Sequence, residues 1–113
     1  MEFSQSLKKN RDFQAVYKNG TSKANRYLVM YALKNGREEN RLGISVSKKV
    51  GNSVVRHRVT RLIRESYRLN EKQFCCGYDL VVIARTGACN VSYDEVQSSI
   101  SVLGKKLGVI RSN

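Results

Sequence analysis

The chain has 113 residues, 41% of them apolar, which suits one domain with a modest core. It carries 21 Lys and Arg residues against nine Asp and Glu residues, a formal net charge of +12, which is typical of proteins that bind nucleic acid or an anionic membrane surface. No run of 18 apolar residues and no signal-peptide core occurs, which excludes a membrane-spanning segment and predicts a soluble, cytoplasmic protein without a membrane partner.

The three cysteines do not form a ligand or disulfide pattern. Cys75 and Cys76 are adjacent, Cys89 stands apart, and no Cys-x-x-Cys or Cys/His spacing occurs. We therefore expect reduced thiols and no metal site in the protein. Proline, linkers and repeats are absent, so residues 1–113 are predicted to form a single RNA-binding domain with a tail, from about 109 to 113, that is free to fray.

The first predicted element is a short amphipathic helix. Phe13, Val16 and Tyr17 are spaced i, i+3 and i+4, so they lie on one helical face. Asn10 is the predicted cap of this helix and Gly20 its end.

Two strands are predicted next. Residues 26–34 are rich in strand-forming side chains, and residues 41–47 alternate between apolar and polar. The polar segment between them contains Asn-Gly, which predicts a hairpin turn that pairs the two strands.

A basic helix follows, capped by Asn52 or Ser53 and ending near Leu69. At about 100° per residue, one arc of this helix is apolar and is expected to pack on the core. The apolar arc consists of Val55, Val59, Leu62, Ile63 and Tyr67. The opposite arc consists of His57, Thr60, Arg61, Arg64 and Arg68, with Arg56 and Arg58 on its flanks.

The last two elements complete a mixed sheet covered by helices. Residues 78–85 form a buried strand pattern, so a strand, helix, strand crossover surrounds the basic helix. Residues 92–95 form a capping box that begins a final helix, which ends near Gly108. The apolar face of this helix consists of Val96, Ile100, Leu103 and Leu107. The predicted fold class is an α/β (α+β) two-layer sandwich.

The organisation of the basic segment indicates a polyanionic partner. Residues 41–68 hold eight Lys and Arg residues but one carboxylate, Glu65. The planar arginine side chain binds phosphate at two points and stacks on bases. The alternative is an ordinary solvated helix face, but such faces usually mix charges of both signs.

No catalytic group is recognisable in the chain. The nine carboxylates are scattered, and His57, the single histidine, lies among arginines where it is poorly placed to shuttle a proton. We expect His57 to contact RNA by a hydrogen bond. Phosphate-binding loops of the G-x-x-x-x-G-K-[ST] and G-x-G-x-x-G types are absent, which disfavours nucleotide hydrolysis.

The segment KKVGNSVVRHRVTRLIRESYR, preceded by GISVS, resembles the Arg-Asn-Arg signature of the bacterial ribonuclease P protein family. The segments LKKNRDFQAVYKNG, ANRYLVMY and YDLVVIAR resemble the first helix and two strands of that family. The resemblance implies a sandwich with a left-handed βαβ crossover, an exception to the right-handed rule. It also implies a subunit of an endoribonuclease in which an RNA subunit, with Mg²⁺ held mainly by that RNA, removes the 5′ leader of precursor tRNA.

The resemblance further implies two surfaces and no catalytic residue in the protein. The surface that binds the RNA subunit comprises Lys48, Lys49, Asn52, Arg56, His57, Arg58, Arg61, Arg64 and Arg68. The cleft that binds the leader comprises Phe13, Tyr17, Arg26, Val29, Tyr31, Ser45 and Ser47. Aromatic side chains suit unstacked leader bases, although Phe13 and Tyr17 are alternatively core residues.

Two positions depart from the family pattern. His57 stands where the family usually has Asn, and Thr60 where it usually has Lys. An imidazole still donates and accepts hydrogen bonds, whereas Thr60 removes one charge and should reduce the salt dependence of RNA binding by about one counterion.

Three alternative functions belong to other classes of protein, and the residues argue against two of them. A structural RNA-binding protein of ribosomal type fits the charge and fold equally well. A helix-turn-helix DNA-binding domain needs a second helix just before the basic helix, where this chain alternates like a strand. A protein-only nuclease needs a carboxylate cluster that the sequence does not show.

Overall fold

The computed structural model describes residues 4–111, which form one five-stranded mixed sheet and three α-helices. The strands are β1 (Ser4–Ser6), β2 (Thr21–Ala24), β3 (Leu28–Lys34), β4 (Asn40–Ser45) and β5 (Tyr78–Ala84). The helices are α1 (Asn10–Asn19), α2 (Ser53–Asn70) and α3 (Tyr93–Leu107). The strand order is β1-β4-β5-β3-β2, with β4 parallel to both of its neighbours and β3 antiparallel to both of its own. The predicted α+β class is confirmed.

The main core lies between one face of the sheet and the helices α2 and α3. Alternate residues of β3, such as Leu28 and Met30, point to this side and are fully buried. The next residues along the strand, such as Tyr31 and Leu33, point to the other face, where a smaller cluster forms around Val16 of α1. The sandwich of sheet with α2 and α3 therefore carries α1 as a partial layer on its opposite face.

The predicted hairpin between β3 and β4 is wrong, because β5 lies between these two strands. Hydrogen bonds connect the turn between β3 and β4 to the segment at the start of β5. The backbone N–H of Asn35 donates to the carbonyl of Gly77 at 2.9 Å. The side chain of Asn40 donates to Cys75 O and accepts from Tyr78 N, both at 2.8 Å. The crossover through α2 then places β4 beside β5 in parallel.

The helix ends follow local capping chemistry in most cases. Asn10 is the first residue of α1 rather than its cap, because Lys9 occupies the cap position without a side-chain hydrogen bond. Asn52 caps α2 by accepting from Val55 N at 3.0 Å, as predicted. The capping box of α3 is also confirmed, and its end at Gly108 has the left-handed φ of 74° that favours glycine.

The C-terminal segment packs on the domain up to Arg111, although the sequence predicts a free tail from about residue 109. Val109 is 1% exposed, and its carbonyl accepts from Cys75 N at 2.7 Å. Ile110 forms a bridge with Phe74, and Arg111 N donates to Gln73 O at 2.8 Å. Apolar burial beside Phe74 holds this segment in place. Residues 112 and 113 lie outside the described part of the chain.

Candidate nucleic-acid interface

Helix α2 places its apolar arc inward and its arginines outward. Val59, Ile63 and Tyr67 are buried, with Val55 and Leu62 packed against the same core. The exposed side chains on the outer side are His57, Arg58, Arg61, Arg64 and Arg68. Arg56 and Thr60 are half-buried, and the hydroxyl of Thr60 donates to Arg56 O at 2.8 Å. The outer side of α2 is therefore a cationic surface on a fixed support.

The arginines of α2 differ in how the fold restrains them. Arg58 donates to the backbone carbonyl of Val91, in the segment just before α3. Arg68 donates to both oxygens of Glu65, at 3.1 and 2.5 Å, and this hydrogen bonding lowers the pKa of Glu65. Within residues 4–111, neither Arg61 nor Arg64 forms an ion pair, so both guanidinium groups are available to phosphate.

The cationic surface extends beyond the start of α2. Lys48 and Lys49 are exposed in the turn that precedes the cap residue Asn52. The first turn of α2 contains no acidic side chain, so the positive end of the helix dipole is not neutralised there. The whole set predicted to bind the RNA subunit thus lies on one helix and the turn that leads into it.

Aromatic side chains gather on the opposite face of the sheet, beside α1. The rings of Tyr17 and Tyr31 meet edge to face with centroids 5.1 Å apart, and Phe13 lies 6.3 Å from Tyr17. The hydroxyl of Tyr17 shares a hydrogen bond with the side chain of Ser45. Burial raises the pKa of Tyr17, and the bond to Ser45 offsets part of this rise. Tyr17, Tyr31 and Ser45 are all half-buried and lie together on the face of the sheet that carries α1, where the cleft is predicted.

Phe13 and Tyr17, which are predicted to line the cleft, also pack on the core. Each is half-buried and packs on the cluster of Leu7, Val16 and Val81. The ring of Phe13 rests on Gly43, where an added Cβ would stand 2.6 Å from the ring's Cζ atom. A side chain at position 43 would therefore displace the ring that begins the cleft.

Sheet register places Ile83 and Ala24, which sequence analysis missed, beside the predicted cleft residues Ser45 and Val29. Ser45 pairs with Ile83, Ile83 pairs with Val29, and Val29 pairs with Ala24. The four side chains form a row across four strands, on the face that carries α1. Alternation within residues 78–85 assigns Ile83 to one face of its strand, but only the strand order shows that Val29 is its neighbour. The row places apolar side chains between Ser45 and the edge strand β2, where the floor of the predicted cleft would lie.

Among the described residues, neither Arg26 nor Ser47 has a hydrogen bond or ring contact with Tyr17 or Tyr31. The guanidinium carbon of Arg26 lies 5.0 Å from the ring centroid of Tyr27, a cation–π contact. Tyr27 in turn donates a hydrogen bond to Glu95 in the first turn of α3, and this bond raises the pKa of Tyr27. The side chain of Arg26 thus lies toward α3. Ser47 is exposed beyond the end of β4.

Comparison with known proteins decides the family. The family model described as Ribonuclease P matches residues 1–108. The chain belongs to the ribonuclease P protein family. A ribonuclease P protein component from Lachnoclostridium phytofermentans is 56% identical over 110 residues, covering 97% of this chain and 95% of the relative. One from Clostridium botulinum strain Loch Maree is 52% identical over 104 residues, covering 91% and 94%.

Solved structures of ribonuclease P proteins share the fold. The protein from Staphylococcus aureus matches with a TM-score of 0.86 at 40% identity, covering 94% of this chain and 97% of that one. The protein from Thermotoga maritima matches with a TM-score of 0.81 at 33% identity, covering 89% and 96%. The resemblance found in the sequence and its expected function, a protein component of ribonuclease P, are confirmed at the level of the family.

This ribonuclease P protein also has a polar cluster beside the aromatic cleft that sequence analysis did not predict. Arg41 donates to both carboxylate oxygens of Asp79, at 2.8 and 2.6 Å, and lies 3.5 Å from Asp12 of α1. Asn35 donates to Asp79 at 2.9 Å. Burial alone would raise the pKa of Asp79, but hydrogen bonds from Arg41 and Asn35 outweigh it and hold this pKa below its ordinary value. The cluster joins β4, β5 and α1.

Protonation of Asp79 at low pH should reduce the stability of the fold. A carboxyl group whose pKa is lower in the folded state stabilises the protein above its unfolded pKa and loses that contribution as the pH falls through the folded pKa. We therefore expect the thermal midpoint to drop as the pH falls below about 4, and to drop less steeply in Asp79→Asn. Unfolding followed by circular dichroism from pH 6 to pH 2.5 measures both slopes. Asp94→Asn, at an exposed carboxylate, should retain the wild-type slope, and equal slopes in all three proteins would contradict the role of Asp79.

Two further findings concern metals and membranes. Across residues 4–111, no three His, Cys, Asp or Glu side chains lie close enough together to hold a metal ion. The three cysteines are free thiols. In the same residues, no helix has the length and apolarity needed to cross a bilayer.

Proposed function

We propose that α2 and the turn before it bind the RNA subunit of ribonuclease P, while the aromatic cleft binds the 5′ leader of precursor tRNA. Membership of the ribonuclease P protein family supports this proposal most directly. The protein then acts by electrostatics and positioning, and the leader is removed to give the mature 5′ end. Such an assembly acts where tRNA is processed in bacteria, in the cytoplasm.

The chemistry of the cleavage is assigned to the RNA subunit with Mg²⁺. The described residues do not suit the ion, because they bring no group of three ligand side chains together. The surface of α2 is cationic, and cations repel a divalent metal while they attract phosphate. The role of this chain is therefore to hold RNA, and no step of the hydrolysis passes through its side chains.

Helix α2 suits the backbone of a folded RNA. Arg61 and Arg64 are exposed and free of carboxylate partners, and Lys48 and Lys49 extend the same charge. Phosphate contacts of this kind fix the register of two molecules without reading sequence.

The aromatic cleft suits a single strand. Its wall presents the rings of Tyr17 and Tyr31, and its floor presents Val29 and Ile83. Unpaired bases stack on aromatic rings with little dependence on sequence, at about 1–3 kcal/mol per base. A leader is single-stranded and mature tRNA has none, so the cleft would distinguish precursor from product.

A reconstitution experiment tests the proposal. The protein is mixed with a bacterial ribonuclease P RNA, and cleavage of a precursor tRNA is measured at low Mg²⁺, beside samples of protein alone and RNA alone. We expect efficient cleavage at the mature 5′ end from the mixture only. Binding of the RNA without stimulation of cleavage would favour a structural RNA-binding protein, and cleavage by the protein alone would overturn the assignment of chemistry to RNA.

A further inference from the structure

Val54 is an apolar side chain that the fold leaves in water. It is 75% exposed, against 58% for Leu69 and 43% for Val102, the other exposed large apolar residues of residues 4–111. An exposed isopropyl group adds nothing to the hydrophobic core, and valine is a weaker helix former than alanine. Nothing in the folding of α2 therefore accounts for valine at this position.

The surroundings of Val54 are cationic and partly fixed. A shallow cavity of about 450 Å³ is lined by Ser53, Val54, His57, Arg58 and Arg61. Positions 54, 57, 58 and 61 are spaced i, i+3, i+4 and i+7, so they are neighbours on one face of α2. The bond from Arg58 to the carbonyl of Val91 holds one guanidinium plane at the rim. No carboxylate lines the cavity.

These features together select a ligand with an apolar planar part and a negative charge. The backbone of duplex RNA offers phosphate but no apolar surface, so it would leave Val54 unused. An unpaired nucleotide offers both, since its base has a π-face and its phosphate has a charge. Guanidinium and imidazole groups stack on a base, and the cavity is large enough to take one.

We propose that Val54, His57, Arg58 and Arg61 form a receptor for one unpaired nucleotide of the RNA subunit, with the base against Val54 and its phosphate on the cations. This inference rests on the proposed function and specifies what α2 recognises. The helix then reads an extruded base in the RNA, in addition to the charge of its backbone. Binding energy from Val54 would not depend on salt, unlike that from the arginines.

Equilibrium binding to the RNA subunit tests the receptor. Val54→Ala should weaken binding by about three- to tenfold, because two methyl groups lose an apolar contact, and the slope of log affinity against log salt should stay unchanged. Val54→Ile keeps the apolar contact and should bind like the wild type. Val102→Ala, at an exposed valine of α3, is the matched control and should also bind like the wild type. Thermal unfolding should be unaffected by Val54→Ala, because alanine favours a helix.

A chemical footprint on the RNA supplies a second readout. Dimethyl sulfate marks unpaired bases, and we expect the wild type, Val54→Ile and Val102→Ala to protect a base that Val54→Ala leaves reactive. If the wild type binds and Val54→Ala does not differ from Val102→Ala in affinity or footprint, the receptor is overturned. The proposed function then stays intact. A wild-type protein that fails to bind the RNA subunit would overturn both. A weaker Val54→Ala with a reduced salt slope would show that position 54 acts through charge, which also overturns the receptor.

Discussion

The double substitution Arg61→Ala, Arg64→Ala is expected to weaken binding to the ribonuclease P RNA subunit by about 100-fold at low salt. A charge-assisted hydrogen bond to phosphate contributes about 1.5–3 kcal/mol, so each arginine accounts for about a tenfold loss or more. Both side chains are exposed and free of ion pairs within the described residues, so their removal leaves no carboxylate unpaired. The fold should therefore survive. The slope of log affinity against log salt should fall in magnitude by about 1.4–1.8, which titrations at several salt concentrations measure.

Arg37 provides the matched control for charge. It is exposed in the turn between β3 and β4, at the opposite end of β4 from the segment that leads into α2. Arg37→Ala should bind the RNA subunit within about twofold of the wild type and keep its salt slope. If Arg37→Ala weakens binding by the roughly tenfold expected of one α2 arginine, total charge rather than the α2 surface governs assembly.

Much of the fold was predictable from local patterns, and the errors in the predicted strand pairing have one physical source. The spacing of Val59, Ile63 and Tyr67 predicted which side of α2 is buried, because helical periodicity is a property of neighbouring residues. Strand order is not local. Short strands such as β1 and β2 carry few apolar residues, and nothing near the β3–β4 turn shows that β5 is inserted between the two strands.

The two parts of the candidate site differ in the same way in how far the sequence predicts them. The arginines of the cationic surface lie on a single helix, so residue spacing was enough to place them on one face, while the family resemblance added the residues of the leading turn. The cleft draws its residues from α1 and several strands, so its floor residue Ile83 became visible only through strand pairing. Arg26 shows the converse case. The family resemblance assigned it to the cleft, and in the structure its guanidinium group stacks on Tyr27, which bonds to Glu95 of α3.

Tyr17→Ala is expected to weaken binding of leader-bearing precursor tRNA by about tenfold, with little effect on mature tRNA. Stacking of one base on an aromatic ring contributes about 1–3 kcal/mol, and the mature product has no leader to stack. The substitution also removes the edge-to-face contact with Tyr31 at 5.1 Å. Dissociation constants of the reconstituted holoenzyme for the two tRNAs give the comparison directly.

Tyr17→Phe separates stacking from hydrogen bonding, because phenylalanine keeps the ring and loses the bond to Ser45. It should retain most of the preference for precursor over mature tRNA. Tyr93→Ala removes a half-buried tyrosine at the start of α3 and serves as the control, with both affinities expected to remain near those of the wild type. Thermal unfolding of each variant checks that the fold persists. Equal losses for precursor and mature tRNA in Tyr17→Ala would show that Tyr17 supports the domain as a core residue and does not contact the leader.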